Sequence, residues 1–118
     1  MSHIATVEMK IKDMKVLKKV CEQLGLSTKQ VKDYVFYDNT KASGLSIQLN
    51  NWRYPIVVKD DGSIVFDNYN GSWGKVEHLQ QLQQAYSTEI AKQQLRKQGY
   101  MVKETKLANG KVELLVSK

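Results

Sequence analysis

Apolar residues in this chain switch repeatedly between two spacings, every second position and every third or fourth. That switching restricts the chain to folds that mix strands with amphipathic helices. Residues 4–11 alternate, with Val7, Met9 and Ile11 on one face, and predict a half-buried strand. Asp13 then stands where an N-cap belongs, its carboxylate placed to accept from the first-turn N–H groups. Met14, Leu17, Val20, Cys21 and Leu24 follow at helical spacing, and Gly25 suits the positive φ of a helix stop. Residues 14–24 therefore read as a short amphipathic helix with Cys21 packed on its apolar stripe.

The middle of the chain returns to period two. Residues 31–37 (VKDYVFY) are rich in β-branched and aromatic types and predict a strand. Asn39 to Gly44 reads as a polar turn, after which Leu45, Ile47 and Leu49 alternate with polar residues. Residues 54–59 and 63–67 flank Asp60-Asp61-Gly62, a hairpin signal, and Pro55 is tolerable where it opens its strand, above all at an edge. Asn68 to Gly74 (NYNGSWG) is a loop. Val76, Leu79, Leu82, Tyr86, Ile90 and Leu95 then mark a long helix running to about Gln98, with Gly99 as its stop. A last hairpin turns at Asn109-Gly110, with Val112, Leu114 and Val116 on one face.

The resulting order, β-α-β-β-β-β-α-β-β, predicts one α+β domain over residues 1–118: an antiparallel sheet of hairpins with two helices packed on one face. Each helix follows a strand and precedes a hairpin. This hints at a β-α-β-β unit used twice, although no residue-level repeat accompanies it.

Charge is placed unevenly. The net charge is +6, with basic excesses in residues 1–32 and 92–118 and an acidic excess between them. If the two basic segments are neighbours, they form one face that concentrates anions such as nucleotides or nucleic acid. The single cysteine excludes an internal disulfide and fits a reducing compartment. No apolar run reaches membrane-spanning length, and the opening MSHIATVEMKIKD is no secretory signal. These features predict a cytoplasmic protein.

Residues for chemistry are sparse. His78 has no second ligand one turn away, since position 82 is Leu, and an amino-terminal copper site at His3 would be broken by removal of Met1. Asp60 and Asp61 belong to a turn, and no nucleophile–base pair or cofactor fingerprint occurs. The sequence thus predicts no enzyme, no cofactor and no metal. Two segments suit binding instead. In NNWRYP, Trp52 and Tyr54 bracket Arg53, close to strands carrying Tyr34, Phe36, Tyr37 and Tyr69. Aromatics beside a cation can stack on a base and neutralise its phosphate. In NYNGSWG, Gly71 and Gly74 permit close backbone approach ahead of a helix start, with Trp73 and Lys75 alongside. The predicted ligand-binding residues are Trp52, Arg53, Tyr54, Trp73 and Lys75, with Lys18 and Lys19 as electrostatic support.

Several of these segments, in order, resemble a known family. They are the opening MSH with its alternating strand, the Leu24-Gly25 helix end, the Tyr54 to Val58 strand, the Trp73 loop, and QQAYSTEIAKQQLRKQGYMVKE followed by NGKVELLV. The family is the conserved plastid reading frame thirty-five family, also called domain of unknown function twelve fifty-seven. Its members occur in algal plastids, where the stroma is their compartment, and in cyanobacteria, other bacteria and phages. The resemblance implies a compact single domain with no assigned enzymatic activity, and it carries over no catalytic residues.

Two functions follow as expectations. The first is a non-enzymatic protein binding an anionic partner, either a nucleotide (a signalling nucleotide included) or nucleic acid. The second is a protein–protein module, such as a homodimer formed through sheet edges or the long Gln-rich helix.

Overall fold

In the computed structural model, which describes residues 4–7, 11–108 and 112–117, nine elements follow the predicted order. They are β1 (Ile4–Val7), α1 (Met14–Gln23), β2 (Ser27–Val35), β3 (Lys41–Gln48), β4 (Ile56–Val58), β5 (Ile64–Asp67), α2 (Val76–Lys97), β6 (Met101–Lys106) and β7 (Val112–Ser117). A 3₁₀ turn, Tyr69–Gly71, lies between β5 and α2. Residues 8–10 of the predicted first strand, the Asn109-Gly110 turn and His3 lie outside the described residues.

β1 to β5 form one antiparallel sheet in the order β1-β5-β4-β3-β2. β2 to β5 are a simple meander. α1 carries the chain from one edge of the sheet, at β1, to the other, at β2. The alternation read from the sequence becomes two faces. Leu45, Ile47, Ile56, Val58, Ile64 and Phe66 point at the helices, where Val16, Leu17, Val20 and Cys21 of α1 meet Leu79, Leu82 and Tyr86 of α2. Each such side chain, taken fully from water, contributes about 1.5–3 kcal/mol. On the opposite face Phe36, Ala42, Val57 and Val65 form a smaller cluster, with Val31 and Tyr34 against it. Burial on both faces explains why Ile56-Val57-Val58 is an unbroken apolar run. Pro55 stands immediately before this central strand, so its missing N–H falls outside the ladder.

Both helices stop in the same way. Leu26 N–H donates to Cys21 O and Gly25 N–H to Glu22 O, and the pattern recurs with Tyr100 to Leu95 and Gly99 to Arg96. These are Schellman closures, and they need the left-handed φ of Gly25 (73°) and Gly99 (90°). At its start α1 is capped as predicted: Asp13 Oδ1 accepts from Lys15 N and Val16 N, each at 3.1 Å. The Tyr86 hydroxyl of α2 accepts from the backbone N–H groups of Lys12 and Asp13 at 3.2 Å. It thereby joins the start of α1 to the second helix.

The first hairpin of the meander differs in extent from the sequence reading. β2 begins at Ser27, four residues before the apolar signal, because Ser27 to Gln30 pair with Gln48 to Leu45 as a solvent-exposed edge. β3 likewise begins at Lys41, inside the segment read as a turn. The actual turn is tighter: Phe36 N–H donates to Thr40 O, with Asn39 at positive φ. Polar residues on the β2 edge carry no period-two signal, and at the start of β3 the buried positions are held by small residues, Ala42 and Gly44, which is why both starts were invisible.

β6 and β7 pair only with each other among the described residues and lie outside the five-stranded sheet. They contact α2, and this arm lengthens the molecule. Its radius of gyration is 15.5 Å and its extents are 52 × 30 × 22 Å, against about 13.5 Å for a compact chain of this length. A charge relay ties the arm to the body. Lys19 of α1 meets Glu89 of α2 at 2.9 Å, Lys92 meets the other Glu89 oxygen at 3.6 Å, and Lys92 meets Glu104 of β6 at 3.0 Å. Glu89 is buried, and the hydrogen bond from Lys19 holds its carboxyl below the usual glutamate range. The basic helix α1 and the basic C-terminal segment are therefore neighbours.

Candidate functional site

Two loops meet beyond the end of the sheet. One (residues 49–55) joins β3 to β4, and the other (68–75) joins β5 to α2. Main-chain and side-chain bonds lock them together. Arg53 N–H donates to Trp73 O at 2.8 Å, Trp52 Nε1–H donates to Lys75 O at 3.2 Å, and Trp73 N–H donates to Asn68 O at 2.9 Å. Asn68 Nδ2 adds a bond to Gly74 O. The two tryptophans flank this junction from opposite sides.

Trp52 is the inner one. It is 5% exposed, belongs to the helix-side core and meets Phe66 edge-to-face at 5.7 Å. This corrects its predicted place among ligand-binding residues, because its ring is packed away from solvent. Gly74 is corrected with it. A Cβ there would fall inside the Trp52 ring, so the glycine's close approach serves the core rather than a ligand.

Trp73 is the outer one and the hub of an aromatic surface. Tyr69 stacks on it (4.8 Å, 26° between planes). Tyr37 and Tyr54 meet it edge-on at 5.5 and 5.4 Å. The Arg53 guanidinium lies 5.2 Å from the Trp73 ring centre and 5.9 Å from that of Tyr54. Arg53 is exposed and Tyr37 is 61% exposed. Such an assembly presents stacking faces and a planar cation to solvent together. Arg53, Tyr54 and Trp73, from two segments singled out separately in the sequence, thus come together on one surface. Tyr37 and Tyr69 join them from the β2–β3 turn and the 3₁₀ turn.

Lys75, exposed at the N-cap of α2, borders a cleft beside this surface that Asn51, Ser72, Gly74 and His78 also line. His78 Nδ1 is buried and has no hydrogen-bond partner among the described residues. Lys18 and Lys19 lie elsewhere. Lys19 meets Glu89, fourteen positions along α2 from Lys75, or about 21 Å at the helical rise. Lys19 is moreover committed to that ion pair. The two lysines therefore give the aromatic surface no direct electrostatic support.

Among the described residues no three His, Cys, Asp or Glu side chains converge on a metal-sized site. No helix among them is long and apolar enough to cross a membrane. No protein-family model, curated protein or solved structure matches this chain. The family resemblance therefore rests on the quoted segments alone.

Proposed function

We propose that this protein is a non-enzymatic binding module for an anionic ligand carrying a planar base, either a nucleotide or single-stranded nucleic acid. The observation that carries the reading is the Trp73 surface, where three tyrosines and Arg53 surround one ring on the protein's exterior. A base would stack on the open face of Tyr37 or of the Arg53 guanidinium. Its phosphate would pair with Arg53 or with Lys75 at the neighbouring cleft. Stacking of this kind contributes about 1–3 kcal/mol per base and tolerates any base, because every base has a π-face. The loops are held together by the bonds beneath them, so the surface is organised before a ligand arrives and little ordering cost opposes binding.

The test is fluorescence anisotropy of a labelled oligothymidylate at low salt, with adenosine monophosphate as competitor. Binding should weaken as salt rises. The double variant R53A/K75A should weaken it by about tenfold or more. Unchanged affinity in that variant would remove the site assignment, and no binding of either probe would remove the reading altogether.

A further inference from the structure

Trp73 is a hub rather than a platform. Tyr69 stacks on its ring, and the Arg53 guanidinium lies over it at 5.2 Å. The surfaces left for a base belong to its neighbours. Tyr37, mostly exposed, meets Trp73 edge-on from the β2–β3 turn. Arg53, also exposed, comes from the β3–β4 loop and lies over both Trp73 and Tyr54. Two platforms thus stand against one ring, and a single base covers only one of them.

The hub is held at a local cost. Tyr69 has φ 47°, a left-handed value that a bulky side chain rarely adopts. Such a residue persists only where its surroundings enforce it. Here Asp67 Oδ1 accepts from Tyr69 N–H at 3.1 Å, and the ring lies on Trp73 at 4.8 Å. Trp73, Tyr37, Tyr54 and Tyr69 all stand outside both core clusters. The strain therefore serves the surface and not the core.

The cleft beside the hub is a separate place. Asn51, Gly71, Ser72, Gly74, Lys75 and His78 line it, and Trp73 and its tyrosines do not. Lys75 follows Trp73 by two residues, so the cleft begins within about 7 Å of the hub. Charge does not separate a strand from a mononucleotide here. Arg53 and Lys75 serve either, and Asp38 beside Tyr37 and Glu77 beyond Lys75, both exposed, temper both. The number of platforms does separate them. Taking the base-bearing anion proposed above as given, we infer that it is a strand. Single-stranded nucleic acid places two adjacent bases on the surface, one on Tyr37 and the next on the Arg53 guanidinium, with a flanking phosphate in the Lys75 cleft.

The probes are labelled tetranucleotides of equal charge, in which abasic sites replace every base but one thymine or every base but two adjacent thymines. Each is titrated into the intact protein at low salt and followed by fluorescence anisotropy. The second thymine should tighten binding by about fivefold or more. Tyr37→Ala should erase that gain, and Tyr37→Phe, which keeps a ring, should retain it. Tyr37 is exposed, and far-ultraviolet circular dichroism confirms that each variant is folded. A second base that adds nothing, or a gain that survives Tyr37→Ala, would overturn the two-base site. In either case one-base binding that weakens in R53A/K75A would leave the proposed function standing. If neither probe binds, that reading falls and the strand falls with it.

Discussion

The two tryptophans offer a sharp test, because the structure gives them opposite duties. Trp52→Ala removes a ring that is 5% exposed, meets Phe66 edge-to-face and lies against Gly74. Large-to-small aromatic truncations in a core cost about 3–5 kcal/mol, and the orphaned Lys75 carbonyl adds to that if water cannot reach it. A domain of this size has about 5–15 kcal/mol in total, so about a fifth of its stability or more should go. Trp52→Phe keeps most of the packing and loses the indole N–H bond, for about 1–2 kcal/mol. Trp73→Ala removes a half-buried ring and its three tyrosine pairs, each worth about 0.5–1.5 kcal/mol, and should cost about 1.5 kcal/mol or more but less than Trp52→Ala. Urea unfolding followed by circular dichroism at unchanged m-value reads all three. If Trp52→Ala and Trp73→Ala destabilise equally, the division into an inner and an outer ring is wrong.

Other outcomes follow from the same geometry. Glu89→Gln should cost about 1.5–3 kcal/mol at neutral pH, the range for hydrogen bonds to charged groups. Because the folded-state pKa of Glu89 lies below its unfolded value, its contribution is present above the ordinary glutamate range and is lost as pH falls through the folded value. The variant should therefore flatten the acid limb of a stability–pH curve, and an unaltered limb would exclude the relay as its source. Burial pushes the Cys21 thiol up to about 11, so native protein at pH 8 should resist a thiol reagent that labels the urea-unfolded chain fully. Gly74→Ala should destabilise by about 1–3 kcal/mol through overpacking on Trp52, read as a lower urea midpoint.

The sequence was most legible where a residue's spacing and its burial answer to the same cause. Met14 to Leu24 and Val76 to Leu95 gave helices because one stripe of each must face the sheet, and Gly25 and Gly99 marked their ends because few other residues tolerate the required φ. Edge strands were harder. Ser27 to Gln30 pair through their backbones while their side chains face solvent, so composition says nothing about them. The site was half legible for a related reason. Arg53, Tyr54 and Trp73 stand in polar loops where aromatics are conspicuous, yet Trp52, their immediate neighbour, turns inward. Adjacent loop residues have no fixed period, so no pattern separates the ring that packs from the ring that is displayed. Tyr37 and Tyr69 reach the same surface only because the meander brings their turns together, a long-range fact beyond any local window.

The placement of β1 has a consequence for how the protein is made. Its partner is β5, with Ile4 opposite Asp67, and α1 and the meander come between them in the chain. During synthesis β1 can pair only after β5 has emerged, several seconds later at ordinary elongation rates of about 5–20 residues per second. Until then β1 has no strand to pair with, and its pairing with β5 is the contact of longest sequence separation in the sheet. Attachments placed ahead of Ile4 would weigh on this late closure, whereas the arm at the other end of the chain would leave it untouched.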